Sequence, residues 1–471
     1  MNLVPETENN FRDNLATVSE EGKRKWIYPK KPKGKFHSAR LIFSAILLII
    51  LFAAPFLKVN GKPLIMLNIL ERNFILFGVP FGPQDFYIFV LGFIGMIIFI
   101  VLFTAVFGRV FCGWACPQTV FMEMVFRKIE YFIEGNSFAQ KKLKNEEWNA
   151  SKLFKKSTKH FIFYSLSFII ANIFLAYIIG SEKLLHIISE PPSQHLEGLI
   201  AIIIFSGIFY FVFTFFREQA CTIVCPYGRL QSVLLDQNSL IIAYDNFRGE
   251  PRGKLRKDEL EKGDCIDCHL CVDVCPTGID IRNGLQLECV NCTACIDECN
   301  AVMTKLGRPE NLIKYSSLNS ISKNEKFKFT PRIVGYSILL LIIISVLTYL
   351  LATRAEYSVE ILRTPGTLYQ VQDEKNVSNI YDLNLVNKTF EDVNITLRLD
   401  KPDEGQIKII GKPLKLKAQE KMDSKMLVIL EHDELKKVNT EIKISVFAND
   451  KMLKQIKTNF MAPPKSMMEE D

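Results

Sequence analysis

The chain has 471 residues, 48% of them hydrophobic, and 58 Lys and Arg against 51 Asp and Glu give it a formal charge of +7. The apolar residues gather into long runs with almost no charge and no polar face, which excludes a large soluble core built from amphipathic helices. The basic excess lies between those runs, where membrane topology and anionic lipid account for it, so no nucleic-acid partner is needed.

Residues 1–38 read as a basic cytoplasmic tail with Lys23, Arg24, Lys25, Lys30, Lys31, Lys33 and Lys35, and Arg40 precedes the first apolar run, 41–57. Further runs follow at 86–107, 161–179, 199–216 and 333–351, each near the ~20 residues that cross a bilayer core. The first run is expected to stay as an anchor, because a long polar segment precedes it and no small-residue cleavage site follows. The second loop carries Arg127, Lys128, Lys141, Lys142, Lys144, Lys152, Lys155, Lys156 and Lys159, whereas the third offers Lys183. The positive-inside rule therefore puts the N-terminus in the cytoplasm. Five crossings then leave segment 217–332 cytoplasmic and everything after Ala352 outside.

Residues 39–235 are expected to form a membrane domain of two helical hairpins with one motif repeated. Cys112-Gly-Trp-Ala-Cys116-Pro117 follows the second crossing and Cys221-Thr-Ile-Val-Cys225-Pro226 follows the fourth. If the helix runs on through each motif, cysteines four apart share a face and four thiolates converge near the cytoplasmic membrane surface. Soft thiolates suit Cu(I), an iron-sulfur centre or zinc, and a close dithiol can shuttle through a disulfide. The plainer alternative is a structural helix end, where Pro stops the helix and Cys acts as a small apolar residue. Recurrence at equivalent positions favours a metal or redox role, which makes Cys112, Cys116, Cys221 and Cys225 the candidate catalytic and copper-binding residues.

Residues 236–330 hold two near-identical runs, Cys265-x2-Cys268-x2-Cys271-x3-Cys275-Pro276 and Cys289-x2-Cys292-x2-Cys295-x3-Cys299. This is the ligand spacing of a bacterial ferredoxin with two 4Fe-4S clusters, in which the fourth Cys of each run serves the other cluster. Cys265, Cys268, Cys271 and Cys299 are thus assigned to one cluster, and Cys289, Cys292, Cys295 and Cys275 to the other. Disulfides fit two tandem runs of four poorly, and structural zinc wants its ligands in two separated pairs. Asn300 stands where a second Pro would follow Cys299, a change of turn geometry that removes no ligand. All twelve cysteines lie in or beside segments assigned to the cytoplasm, as expected if free thiols avoid an oxidising compartment.

After the fifth crossing, 331–353, residues 354–471 read as β: short alternating segments at 380–386, 393–399, 406–410, 426–430 and 441–447 point to an immunoglobulin-like sandwich. Met422, Met426, Met461, Met467 and Met468 are soft donors for copper, although such methionines more often fill a core or a frayed tail. Haem is disfavoured, because of six His only His160 closely borders a crossing, His186 and His195 fall in the outer loop, and His269 sits inside a cluster run. No Gly-rich fingerprint for a nucleotide is present, so electrons are expected from a partner or a quinol. The fold class is therefore a multi-pass α-helical membrane protein of five transmembrane helices, with an inserted α+β dicluster ferredoxin domain and a C-terminal immunoglobulin-like β-sandwich.

Arg109-Val-Phe-Cys-Gly-Trp-Ala-Cys-Pro-Gln-Thr-Val-Phe-Met-Glu123, Cys221-Thr-Ile-Val-Cys-Pro-Tyr-Gly-Arg-Leu-Gln231, the ferredoxin runs and Arg363-Thr-Pro-Gly-Thr-Leu-Tyr-Gln370 together resemble the cytochrome c oxidase accessory proteins of the CcoG/FixG/RdxA type. The resemblance spans residue 25 to the C-terminal domain. It implies a bacterial inner-membrane protein that reduces Cu(II) to Cu(I) for assembly of cbb-type cytochrome c oxidase, with the β domain in the periplasm. Copper chaperones and oxidase assembly factors are the partners it implies, beside membrane lipid and an unidentified electron donor. A quinol-oxidising subunit resembling NapH and NosR, which share the C-x3-C-P hairpins, stays open, as does an assembly scaffold.

Overall fold

The structure, a computed structural model, describes residues 16–19, 21–59, 61–69, 73–82, 85–254, 262–323, 330–373, 376–402, 405–431 and 438–463. Five helices are long and apolar enough to cross a membrane: α1 Lys35–Ala53, α2 Phe86–Phe107, α3 Ala150–Ile179, α4 Leu196–Phe216 and α5 Pro331–Ala352. Ile42, Phe93, Phe161, Ile204 and Leu341 stand exposed along them, a surface that lipid tails accept and water does not. The helix ends depart from the apolar runs. α3 begins at Ala150, because the Asn149 side chain accepts from the Lys152 amide and caps a polar first turn. α1 starts at Lys35 and stops at Ala53, two residues short of Pro55, which cannot continue a helix.

The chain folds as two compact units, residues 1–68 with 89–347 and residues 69–88 with 348–471. In the first, Phe121, Phe126, Phe163 and Phe213 form a buried aromatic core, with Phe126 stacked on Phe213 at 4.7 Å between ring centroids. A network of buried charges adjoins it. Arg217 grips Glu130 through two bonds of 3.0 and 2.9 Å, Lys159 reaches Glu134 at 2.9 Å, and Arg127 pairs with Glu123 at 3.2 Å. Charges out of water persist only when paired, so the loop cations that signal topology in the sequence here also brace the fold. Burial pushes the Glu130 carboxyl up, but Arg217, Lys159 and Arg127 outweigh it and hold it below its ordinary value.

The cysteine-rich segment of this unit is built on a two-stranded antiparallel pair, Ile241–Tyr244 with Ile313–Ser316, and the helix Ala294–Lys305. It is tied to the start of α1. The Asp297 carboxylate accepts from the amides of Phe36 and His37 at 3.2 and 2.8 Å, an anion at a helix N-terminus, and Lys30 pairs with Glu298 at 2.9 Å. Asp297 and Glu298 lie between Cys295 and Cys299, so the basic tail is anchored on the second cysteine run.

The second unit is the β-sandwich. Its strands are β1 Tyr357–Arg363, β2 Gln370–Asp373, β3 Asn376–Asn387, β4 Val393–Lys401, β5 Gln406–Ile410, β6 Lys415–Leu416, β7 Lys421–Glu431, β8 Asn439–Ala448 and β9 Lys451–Met461. One sheet has the order β5-β7-β3-β1 with β2 also on β3, and the other the order β6-β4-β8-β9. Alternate residues of each, among them Tyr381, Leu383, Val428, Ile444 and Val446, close the core between them. Met426 is wholly buried in that core and Met422 packs against it, so these two act as filling. Met467 and Met468 lie outside the described residues. The segment 69–88 joins this unit through Asp85, a buried carboxylate held by Arg354 and Lys388, each at 2.7 Å.

Candidate electron-transfer site

The two cysteine runs repeat one backbone. Asp267 and His269 adopt left-handed φ in the first run, and Asn291 and Thr293 do so at the equivalent places in the second. Asp, Asn and His tolerate this region, but Thr is β-branched and pays for it, so the conformation at Thr293 is imposed by its surroundings. Successive turns of this kind wrap backbone amides around a concavity suited to an anion.

Two apolar cavities result. Cys265, Cys268, Cys271 and Cys299 line the first, with His269 and Arg282 at its edge. Cys275, Cys289, Cys292 and Cys295 line the second, and Cys271 borders it as well. Burial pushes the Cys271 and Cys289 thiols up to about 12 and those of Cys292 and Cys299 up to about 11. Thiols crowded in so dry a place have little reason to ionise alone, whereas metal coordination deprotonates them outright. Eight soft donors around two cavities therefore fit two four-iron clusters. Among the described residues no three His, Cys, Asp or Glu side chains are grouped to enclose a single ion, a different geometry from a cluster in which each thiolate takes its own iron.

The C-x3-C-P motifs correct one expectation. The helix does not run on through them: Cys112 lies in the short helix Val110–Trp114 and Cys221 in the π-helix Ala220–Val224, while Cys116 and Cys225 are extended. The following Pro forces this, since it disfavours helical backbone in the residue before it. Both motifs close the same way, with the amide of the second Cys bonded to the carbonyl five residues back, Phe111 at 2.8 Å and Ala220 at 2.9 Å. The four thiols still share one neighbourhood. Burial first, then Cys116 and Cys112, push the Cys221 thiol up to about 12, and Cys116 and Cys225 add to the burial that raises Cys112 to about 11.

The first motif lies directly on the second cavity. A Cβ on Gly113 would stand 2.4 Å from the Val290 carbonyl oxygen and 2.8 Å from that of Asn291, so only Gly lets the Cys112 turn touch the loop between Cys289 and Cys292. Arg40 donates from Nε to the Gly113 carbonyl at 2.6 Å. Arg109 bonds the carbonyls of Leu287, of Cys289 at 3.5 Å and of Gly228 at 3.1 Å, joining both hairpins to the cysteine-rich segment. Gln231 is fully buried and donates to the Cys112 sulfur at 3.1 Å. These four residues carry no metal-ligand signature, so sequence spacing alone does not single out their roles.

Known proteins share this plan. Residues 216–318 match the profile of the 4Fe-4S dicluster domain and 347–463 that of the Ig-like fold at the C-terminal of FixG. RdxA of Cereibacter sphaeroides is 33% identical over 390 residues, 79% of this chain and 82% of its own. The chain belongs to the FixG/RdxA family. RdxB of the same organism is 32% identical over 437 residues, and the nitrogen fixation protein FixG of Rhizobium meliloti 30% over 437 residues, 83% of this chain and 82% of its own. Like the family, this protein is a membrane iron-sulfur electron-transfer protein. Residues 88–145, which hold Cys112 and Cys116 and no cluster run, match the profile of a 4Fe-4S binding domain.

The histidines set aside as ligands in the sequence have other partners. His269 faces Arg282 at 3.0 Å on the rim of the first cavity, and His160 bonds the Tyr210 hydroxyl at 2.9 Å among aromatic rings. His195 pairs with Glu190.

Proposed function

We propose that this protein reduces Cu(II) to Cu(I) for assembly of a cbb-type cytochrome c oxidase, with Cys112, Cys116, Cys221 and Cys225 receiving the copper. The observation that carries this reading is the seating of the Cys112 turn, through Gly113, on the loop between Cys289 and Cys292. Cys265, Cys268, Cys271 and Cys299 hold one cluster, and Cys275, Cys289, Cys292 and Cys295 the other. Bound clusters supply one-electron chemistry at low potential. The chain's own residues do the rest: the buried cavities keep water away, Gln231 orients the Cys112 sulfur, and the paired soft sulfurs retain Cu(I), which water does not stabilise. Each Cu(II) takes up one electron, supplied to the protein by a partner or a quinol. In this reading residues 1–38 and 236–330 face the cytoplasm of a bacterial inner membrane, 39–235 and 331–353 form the membrane domain, and 354–471 face the periplasm, where assembly factors and copper chaperones are met.

Anaerobic protein reduced with dithionite and freed of excess reductant is expected to convert Cu(II) to Cu(I), read with a Cu(I)-specific chelator. Ser in place of both Cys112 and Cys116, or of both Cys221 and Cys225, is expected to abolish this and leave the cluster spectra intact. Two thiols can themselves give up two electrons to two Cu(II) as they join in a disulfide, so rates are compared with the clusters oxidised and reduced. Equal rates in those two states, or full activity in both double variants, would refute the reading. The 4Fe-4S profile over residues 88–145 favours a second reading of the hairpin thiols, an iron-sulfur centre in place of copper. Iron beyond about eight per chain, the content of two four-iron clusters, would support that instead.

A further inference from the structure

Among the described residues two buried arginines form no ion pair, Arg40, which is 3% exposed, and Arg109, which is 5% exposed. Nη2 of Arg40 and Nε of Arg109 have no hydrogen-bond partner either. Glu288 lies within electrostatic reach of Arg109 without pairing with it. An uncompensated guanidinium inside a protein is strongly unfavourable, so an anion is called for nearby. Both arginines adjoin the second cavity: Arg109 bonds the carbonyl of Cys289, and Arg40 bonds the carbonyl of Gly113, which packs on Val290 of the cavity wall. The first cavity is built differently. Arg282, in its lining, is neutralised by Asp280 at 2.6 Å and Asp267 at 2.5 Å, and Cys268 there is exposed.

We propose that Arg40 and Arg109 are countercharges to the cluster of the second cavity and hold its reduction potential above that of the first. The proposal rests on the cluster assignment given above and not on copper chemistry. Burial by itself favours the less charged, oxidised state and pulls the second cavity downward. Two fixed positive charges act in the opposite sense, because reduction adds a negative charge that they stabilise. An electron shared between the two sites then settles beside the Cys112 turn and leaves the site with the exposed Cys268. One electron is lost at the first site as one is gained at the second, and no proton or atom moves.

The test is a redox titration of anaerobic full-length protein in detergent, followed by electron paramagnetic resonance. Wild type is expected to show two steps, and Cys268→Ser to alter the signal of the lower one. Arg109→Gln and Arg40→Gln, which come from a turn and a helix far apart in sequence, are each expected to lower the upper step and leave the lower in place, and Arg109→Lys to restore most of the shift. The proposal is overturned if both steps move together, if neither moves in fully loaded Gln variants, or if Cys268→Ser alters the upper signal. Wild-type protein with far fewer than about eight irons and eight sulfides would overturn the cluster assignment itself. Full loading with unmoved potentials would overturn the countercharge role alone.

Discussion

The two hairpins carry the same turn with opposite charge. Aligned on Cys112 and Cys221, the left-handed residue four places earlier is Gly108 in one, with φ of 60°, and Arg217 in the other, with φ of 52°. The next position is Arg109 in the first and Glu218 in the second. Gly adopts that backbone without cost, whereas Arg217 is held in it by the two hydrogen bonds it donates to Glu130. Arg109 turns to the carbonyls around the second cavity, while Glu218 joins Arg24 at 3.1 Å and Arg127 at 3.7 Å. One copy of the repeat has become the contact with the cysteine-rich segment, and the other has become a brace. Duplicated backbone geometry thus tolerates divergence of role wherever each copy finds its own countercharges.

The largest way to break this comparison is at the brace. Glu130→Ala takes both short hydrogen bonds from the buried Arg217, leaving it Glu218 at 3.6 Å, and is expected to cost about 3 kcal/mol, read by thermal unfolding in detergent. The loss of protection in hydrogen exchange should centre on residues 212–224 and spare 108–116. The Glu130 carboxyl is held below its ordinary value of 4.5. Its contribution is therefore full above that pH, and it fades as pH falls through the lower folded value. An unfolding temperature of Glu130→Ala that tracks wild type from neutral to acid pH would contradict this.

The contact comes next. Gly113→Ala forces a methyl against the Val290 carbonyl and is expected to cost about 1–3 kcal/mol and to slow copper reduction. At the matching position, Thr222→Ala should stay within about 0.5 kcal/mol, as is usual for a change away from tight packing. Equal costs at Gly113 and Thr222 would mean that the first motif does not bear on the cavity. The smallest effect belongs to Gln231. Burial raises the Cys112 thiol and the Gln231 hydrogen bond pulls it back down. Gln231→Leu should therefore raise it further, at about 1 kcal/mol for the lost bond, and slow alkylation of Cys112 in copper-free protein while that of Cys221 is unchanged. Mass spectrometry of the labelled peptides reads both rates.

What the sequence made legible was whatever repeats at fixed spacing. The eight cysteines of the two runs, the apolar runs of the five spans and the alternation of strands such as β3 and β8 each follow a period that survives without neighbours in space. Cys116 and Cys225 show the limit: period alone suggested a continuous helix, and the Pro that follows each redirects the backbone. Lys156 and Lys159 show another. As loop cations they report topology, yet their partners Glu130 and Glu134 lie about one helical turn apart in a separate segment, and only folding brings them together. Arg40 and Arg109 were hidden for the same reason, since an unpaired buried charge is visible only once burial is known.

The clasp at Asp85 bears on how many times the chain can thread the bilayer. Asp85 stands just before α2, whereas Arg354 and Lys388 come after α5, and all three meet in one compact unit. A direct ion pair cannot form through a sheet of hydrocarbon, so residue 85 and residue 354 must emerge on the same face of the membrane. The number of crossings between them is then even, and α2 through α5 supply four. Any scheme in which one of these helices merely lies on the surface, or dips in and returns, fails this parity unless a second does so too. The count of spans is thereby constrained by three side chains that never enter the bilayer, independently of hydropathy and of the distribution of Lys and Arg.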